Sequence, residues 1–109
     1  MTTINIKKLN DNIVCVECKN HAGYAQSGKD IVCAGISSIT QTAVLAIQKL
    51  TTVSLITKID ETTGYLKLEL KDIDNSQNFH DAQIILKSML CGLEDLYAQY
   101  PKYIKLEVK

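Results

Sequence analysis

Residues 30–50 read DIVCAGISSITQTAVLAIQKL. Val32, Ile36, Ile39, Ala43, Ile47 and Leu50 recur there at steps of three and four, the spacing that lays apolar side chains along one face of a helix. Asp30 stands just before the run, where its carboxylate can accept from the backbone N–H of Val32 or Cys33 and so set the helix start, a cap worth about 1 kcal/mol. On both sides of this helix the apolar residues alternate instead. Upstream, Ile4 and Ile6 interleave with Thr3, Asn5 and Lys7, the chain turns through Asn10-Asp11-Asn12, and a second strand follows over residues 13–18. Downstream, residues 53–59 and 65–70 read as two strands around an Asp60-Glu61-Thr62-Thr63-Gly64 turn. The helix therefore lies between two hairpins.

A second helix is capped by Asp74, Asn75 or Ser76 and carries Phe79, Ala82, Leu86, Met89 or Leu90, Leu93, and Leu96 or Tyr97 on its apolar side. Pro101 ends it, and residues 103–108 alternate as a last strand. The order strand, strand, helix, strand, strand, helix, strand defines an α+β fold with two helices packed on a largely antiparallel sheet, and the chain reads as one domain over residues 1–109. The order of strands within the sheet is left open by this pattern.

Composition narrows the function. With 109 residues and 46% hydrophobic content the chain can fill a single core. Its twelve cations are all lysine and are balanced by twelve acidic residues, so there is neither a basic face for nucleic acid nor an arginine fork for phosphate. The first twelve residues, MTTINIKKLNDN, lack the pattern of a secretory signal, and no stretch is expected to approach the length needed to span a bilayer. A cytoplasmic location follows as an expectation, with the four cysteines as free thiols.

Residues 21–33, HAGYAQSGKDIVC, carry the chemistry. His21 and Cys33 stand at the two ends of a glycine-containing loop, and Cys33 falls in the first turn of the helix, where the macrodipole and unpaired N–H groups favour a thiolate. A histidine brought back to it could act as its base. Asp30 either caps the helix only or also orients His21. Gly23 and Gly28 bracket Tyr24 and its neighbours, as a loop that swings over a site would require. Cys15 and Cys18 have the spacing of half a metal site, but residues three apart on a strand face opposite ways and no second pair follows, so neither a metal nor a cofactor is expected. Cys91, Gly92 and His80 read as structural or solvated.

The segment HAGYA followed by G-x-D-I-V-C-A resembles the signature of the ribosomal-processing cysteine protease family, and the closing GLEDLYAQYPKYIKLEV resembles that family's last helix and strand. Asn20 departs from the glycine expected before the histidine, but asparagine tolerates the left-handed backbone. The resemblance implies a cysteine endopeptidase with His21 and Cys33 as a catalytic dyad, Ser37 one helical turn on as a supporting donor, and the 23–28 loop gating the substrate. It further implies a homodimer whose substrate is the short N-terminal extension of ribosomal large-subunit protein twenty-seven, cut after an aromatic pair. A non-catalytic module that binds a ribosomal protein during assembly is the alternative, and a thiol redox sensor pairing Cys33 with Cys15 or Cys18 is a third reading.

Overall fold

The computed structural model describes residues 1–26 and 29–109. Strands β1 (Thr2–Leu9) and β2 (Asn12–Lys19) precede helix α1 (Ile31–Leu50), and β3 (Leu55–Asp60) and β4 (Tyr65–Leu70) precede α2 (Gln77–Gln99) and β5 (Ile104–Val108). The sheet order is β3-β4-β2-β1-β5. Three pairings are antiparallel, and β5 joins β1 in parallel after the α2 crossover. This is the α+β architecture that the alternating periods require.

Local chemistry explains the joins. Asn10 and Asp11 both hold positive φ, 50° and 67°, as the two central residues of a tight turn between twisted strands must, and both residue types tolerate that region. Along the hairpin, Lys7 pairs with Cys15 but Lys8 pairs with Ile13, so Val14 is left without a partner in a bulge. The bulge reverses the alternation and turns Ile13, as well as Val16 and Cys18, into the core. Beyond Cys15, β4 no longer pairs with β2. The buried Gln83 of α2 takes over, donating from Nε2 to the Ile13 carbonyl and accepting the Ile13 N–H at Oε1, both at 2.8 Å.

Ser76, one of the three expected caps, accepts from the Phe79 N–H. The apolar stripes mostly face the sheet, with two departures. Leu50 is 73% exposed at the end of α1, and Thr40 is buried because its hydroxyl satisfies itself on the Ile36 carbonyl at 2.8 Å. The expectation that no stretch approaches membrane-spanning length is corrected by α1, a 20-residue helix whose mean hydropathy reaches 1.5 over 18 residues. Its Val32, Ile36, Ala43, Val44 and Ile47 are buried in the protein's own core, which explains the apolar composition. The helices stop short of β3. Leu55, Thr57 and Ile59 share the core-facing side with Leu70, Leu68 and Leu66 by register, yet Ile59 remains 46% exposed while Leu66 is buried. An open trough is left between α1 and the β3–β4 edge.

Candidate active site

His21 leaves the end of β2 and Cys33 occupies the first turn of α1, so the two meet at one end of that trough. Asn20 takes φ 68° and Gly23 φ 75°, two left-handed steps that fold the chain back over the helix start. The His21 Nδ1 then lies 3.9 Å from the Cys33 Sγ. On the opposite side of the ring, Nε2 is 3.1 Å from the Thr62 carbonyl oxygen in the β3–β4 turn. A carbonyl only accepts, so Nε2 carries the ring proton and Nδ1 presents its lone pair to the thiol. Gly64 makes this contact possible. At φ 68° it packs so closely that a Cβ would stand 2.9 Å from the Asn20 carbonyl carbon and 3.0 Å from His21 Nδ1.

Asp30 is the N-cap of α1. One carboxylate oxygen accepts the Cys33 N–H at 2.9 Å and the other accepts the Tyr24 N–H at 3.0 Å. Burial works against its charge, but the N–H bonds from Cys33, Tyr24 and Ala25 outweigh that and hold its pKa below the usual value. The carboxylate thus ties the loop to the helix start, and the orienting of His21 falls to Thr62. Sequence reading missed Thr62 because the group that acts is a backbone carbonyl, which every residue has. It read Gly64 only as a turn former, and the glycine itself was the available signal.

The sulfur accepts the Ala22 N–H at 3.0 Å. Even so, burial first, and then the Asp30 carboxylate, push the Cys33 thiol above its ordinary value of 9.0, while the Ala22 bond pulls the other way. Burial and the capping carboxylate thus oppose the helix macrodipole at the sulfur. The backbone N–H groups of Cys33 and Ala34 are engaged as well, Cys33 with the Asp30 side chain and Ala34 with the Asp30 carbonyl.

The trough is a cleft of about 560 Å³ that runs from His21 and Cys33 along α1, with Ile36, Thr40, Ile59 and Leu66 among its walls. Ser37 is exposed on this wall, and among the described residues its hydroxyl makes no hydrogen bond to Cys33 or His21. Gly23 and Ala25 line the cleft, whereas Tyr24 meets Tyr100 and Tyr103 edge-on. Gly28 lies outside the described residues. Cys15 and Cys18 point to opposite faces of β2, half-buried and buried, and all four cysteines are free.

A thiol beside an oriented imidazole, at the head of an open groove, defines a cysteine protease. The model of the family described as cysteine protease Prp matches residues 1–105. The ribosomal processing cysteine protease of Staphylococcus aureus is 32% identical over 111 residues, covering all of both chains, and that of Bacillus subtilis is 27% identical over 107 residues, covering 97% of this chain and 96% of its own. A crystal structure of the staphylococcal protease with a covalently linked product peptide superposes with a TM-score of 0.90 at 31% identity over the whole of both chains. The chain belongs to the ribosomal-processing cysteine protease family.

Proposed function

We propose that the protein is an endopeptidase that works through a Cys33–His21 dyad and removes the N-terminal extension of ribosomal large-subunit protein twenty-seven. The observation that carries the dyad is the single orientation of His21, with Nε2–H on the Thr62 carbonyl and Nδ1 facing the thiol. Burial and Asp30 raise the thiol's pKa, so a base beside the sulfur assists the attack. Nδ1 takes the Sγ proton, the sulfur bonds to the scissile carbonyl carbon, and the carbonyl electron pair moves onto its oxygen. The Ala22 N–H, which donates to the sulfur, is a backbone donor placed beside the reacting atom and serves that developing charge. Collapse breaks the C–N bond, and the amine leaves with the proton from Nδ1. Water, deprotonated by the same nitrogen, then attacks the thioester and releases the acid and the thiol.

The apolar walls of the cleft suit the aromatic residues that the family's substrate carries before the cut. Ser37, Gly23 and Ala25 face the peptide in this reading, with Ser37 a donor to the bound chain. Asp30 serves the dyad indirectly, by fixing the helix start. The protein acts in the cytoplasm as a homodimer, for which the open edges of β3 and β5 are available. Sedimentation should then give twice the chain mass of 12.1 kDa.

The direct test is incubation with a peptide that spans the extension and its junction. Wild type should give one cut. Cys33→Ala should give none while still binding the peptide, and His21→Ala should lose about 10²–10⁴-fold in turnover. Cutting by Cys33→Ala, or unchanged turnover in His21→Ala, would remove that residue from the mechanism.

A further inference from the structure

Tyr24 is 41% exposed on the loop between His21 and Cys33, yet its ring is held on two sides. It meets Tyr100 edge-on at a centroid distance of 5.6 Å and 81° between planes, and Tyr103 at 5.2 Å and 74°. Both contacts have the T-shaped geometry that the aromatic quadrupole favours. The two partners form a firm platform. The Tyr100 N–H bonds to the Leu96 carbonyl at 2.9 Å, the Tyr103 N–H to the Tyr100 carbonyl at 3.0 Å, and the Tyr103 carbonyl accepts the Thr2 N–H at 2.9 Å. The corner between α2 and β5 is thus tied both to its own helix and to β1.

From this platform a short path leads to the reacting atoms. The Tyr24 N–H donates to one Asp30 oxygen while the Cys33 N–H donates to the other, so one carboxylate links the stacked residue to the nucleophile's own backbone. In the other direction, two residues back, Ala22 donates to the Cys33 Sγ, with His21 next to it. Gly23 stands between at φ 75°, a residue that alone could not keep the segment in one conformation. The flanking Gly23 and Ala25 line the cleft and the Tyr24 side chain does not, so the ring is directed at the fold rather than at a peptide.

We propose that Tyr100 and Tyr103 are positioning residues for the His21–Cys33 pair, acting through edge-on contacts with Tyr24 that fix the segment carrying His21 and the Ala22 N–H. This inference rests on the dyad reading given above. It assigns to the α2–β5 corner, remote in sequence from the loop, control over the distance between thiol and imidazole.

Three measurements test it: kcat and KM on the extension peptide, the pH profile of Cys33 alkylation by iodoacetamide, and the melting temperature. Tyr24→Ala changes an exposed residue and should leave melting nearly unchanged while lowering kcat about ten- to a hundredfold, the loss of two aromatic contacts, with KM little altered. Tyr103→Ala and Tyr100→Ala should each lower kcat about three- to tenfold. Phenylalanine at either position keeps the edge contact and should restore the rate. Adding Tyr103→Ala to Tyr24→Ala should cost no more than Tyr24→Ala alone. The alkylation profile should move with kcat, because the Ala22 hydrogen bond and the His21 contact loosen together. Wild-type kcat and alkylation in Tyr24→Ala would overturn the proposal, as would a change confined to KM or a Phe variant as impaired as Ala. If wild type cuts no extension peptide, the substrate reading fails instead, and the alkylation profiles of the same variants still decide whether Tyr100 and Tyr103 position the pair.

Discussion

A methyl group on Gly64 would meet His21 Nδ1 at 3.0 Å and the Asn20 carbonyl carbon at 2.9 Å, the latter being backbone that cannot rotate away. Gly64→Ala should therefore displace the imidazole and, since a shift of about 1 Å in a reacting group costs on the order of 10²-fold, reduce kcat by about that factor while circular dichroism stays native. A variant that keeps wild-type turnover would show that the β3–β4 turn does not hold the histidine. Asp30 allows a test of opposite sign. Its carboxylate raises the Cys33 pKa and also supplies two acceptor oxygens. Asp30→Asn keeps one acceptor and removes the charge, so the midpoint of iodoacetamide reaction at Cys33 should fall even as the Tyr24 tether weakens. A rising midpoint would mean that the carboxylate acts on the sulfur through hydrogen-bond geometry, not charge.

Elements whose cause is local were legible in the sequence. β4 is found over the expected residues 65–70, and α1 begins immediately after Asp30, because alternation and capping are properties of neighbours along the chain. What escaped were the polar residues that become buried through distant partners. Gln83 is not among the residues expected on the apolar side of α2, yet it closes the end of β2 beyond the bulge at Val14, where pairing with β4 has ended. Removing it strands two buried backbone groups at Ile13. Gln83→Leu, close in volume but unable to bond, should cost about 2–6 kcal/mol in urea denaturation, at about 1–3 kcal/mol for each of the two unsatisfied groups. A loss below about 1 kcal/mol would indicate that water or a shift of β2 satisfies Ile13 instead.

At the scale of the whole molecule, the two hairpins follow from their turns, but the joins β2–β4 and β1–β5 unite strands far apart in sequence, and no periodicity within a strand encodes its lateral neighbour. The site shares that limit. His21 and Cys33 are legible as a pair on one loop, whereas the Thr62 carbonyl and the tyrosine platform reach it only through those joins. The assembled core also sets the pH range of stability. Asp30 is held below its ordinary pKa against the cost of burial by N–H donors, and Glu17 chiefly by the Tyr65 hydroxyl at 2.7 Å. Depressed carboxylates stabilise the fold above their unfolded values near 4, and that contribution is lost as pH falls through the lower folded values. On the alkaline side, burial pushes the Cys18 thiol up to about 12. A raised thiol leaves stability intact below the unfolded value near 9, and stability then falls as pH rises toward 12, because the unfolded chain ionises first. Urea midpoints should therefore form a plateau from about pH 5 to 8.5 with a decline on each side. Cys18→Val retains an apolar side chain at the buried site and should make the alkaline decline shallower without abolishing it, since Cys15, Cys33 and Tyr65 are raised as well. An unchanged alkaline limb in that variant would assign the decline to groups other than the buried thiol.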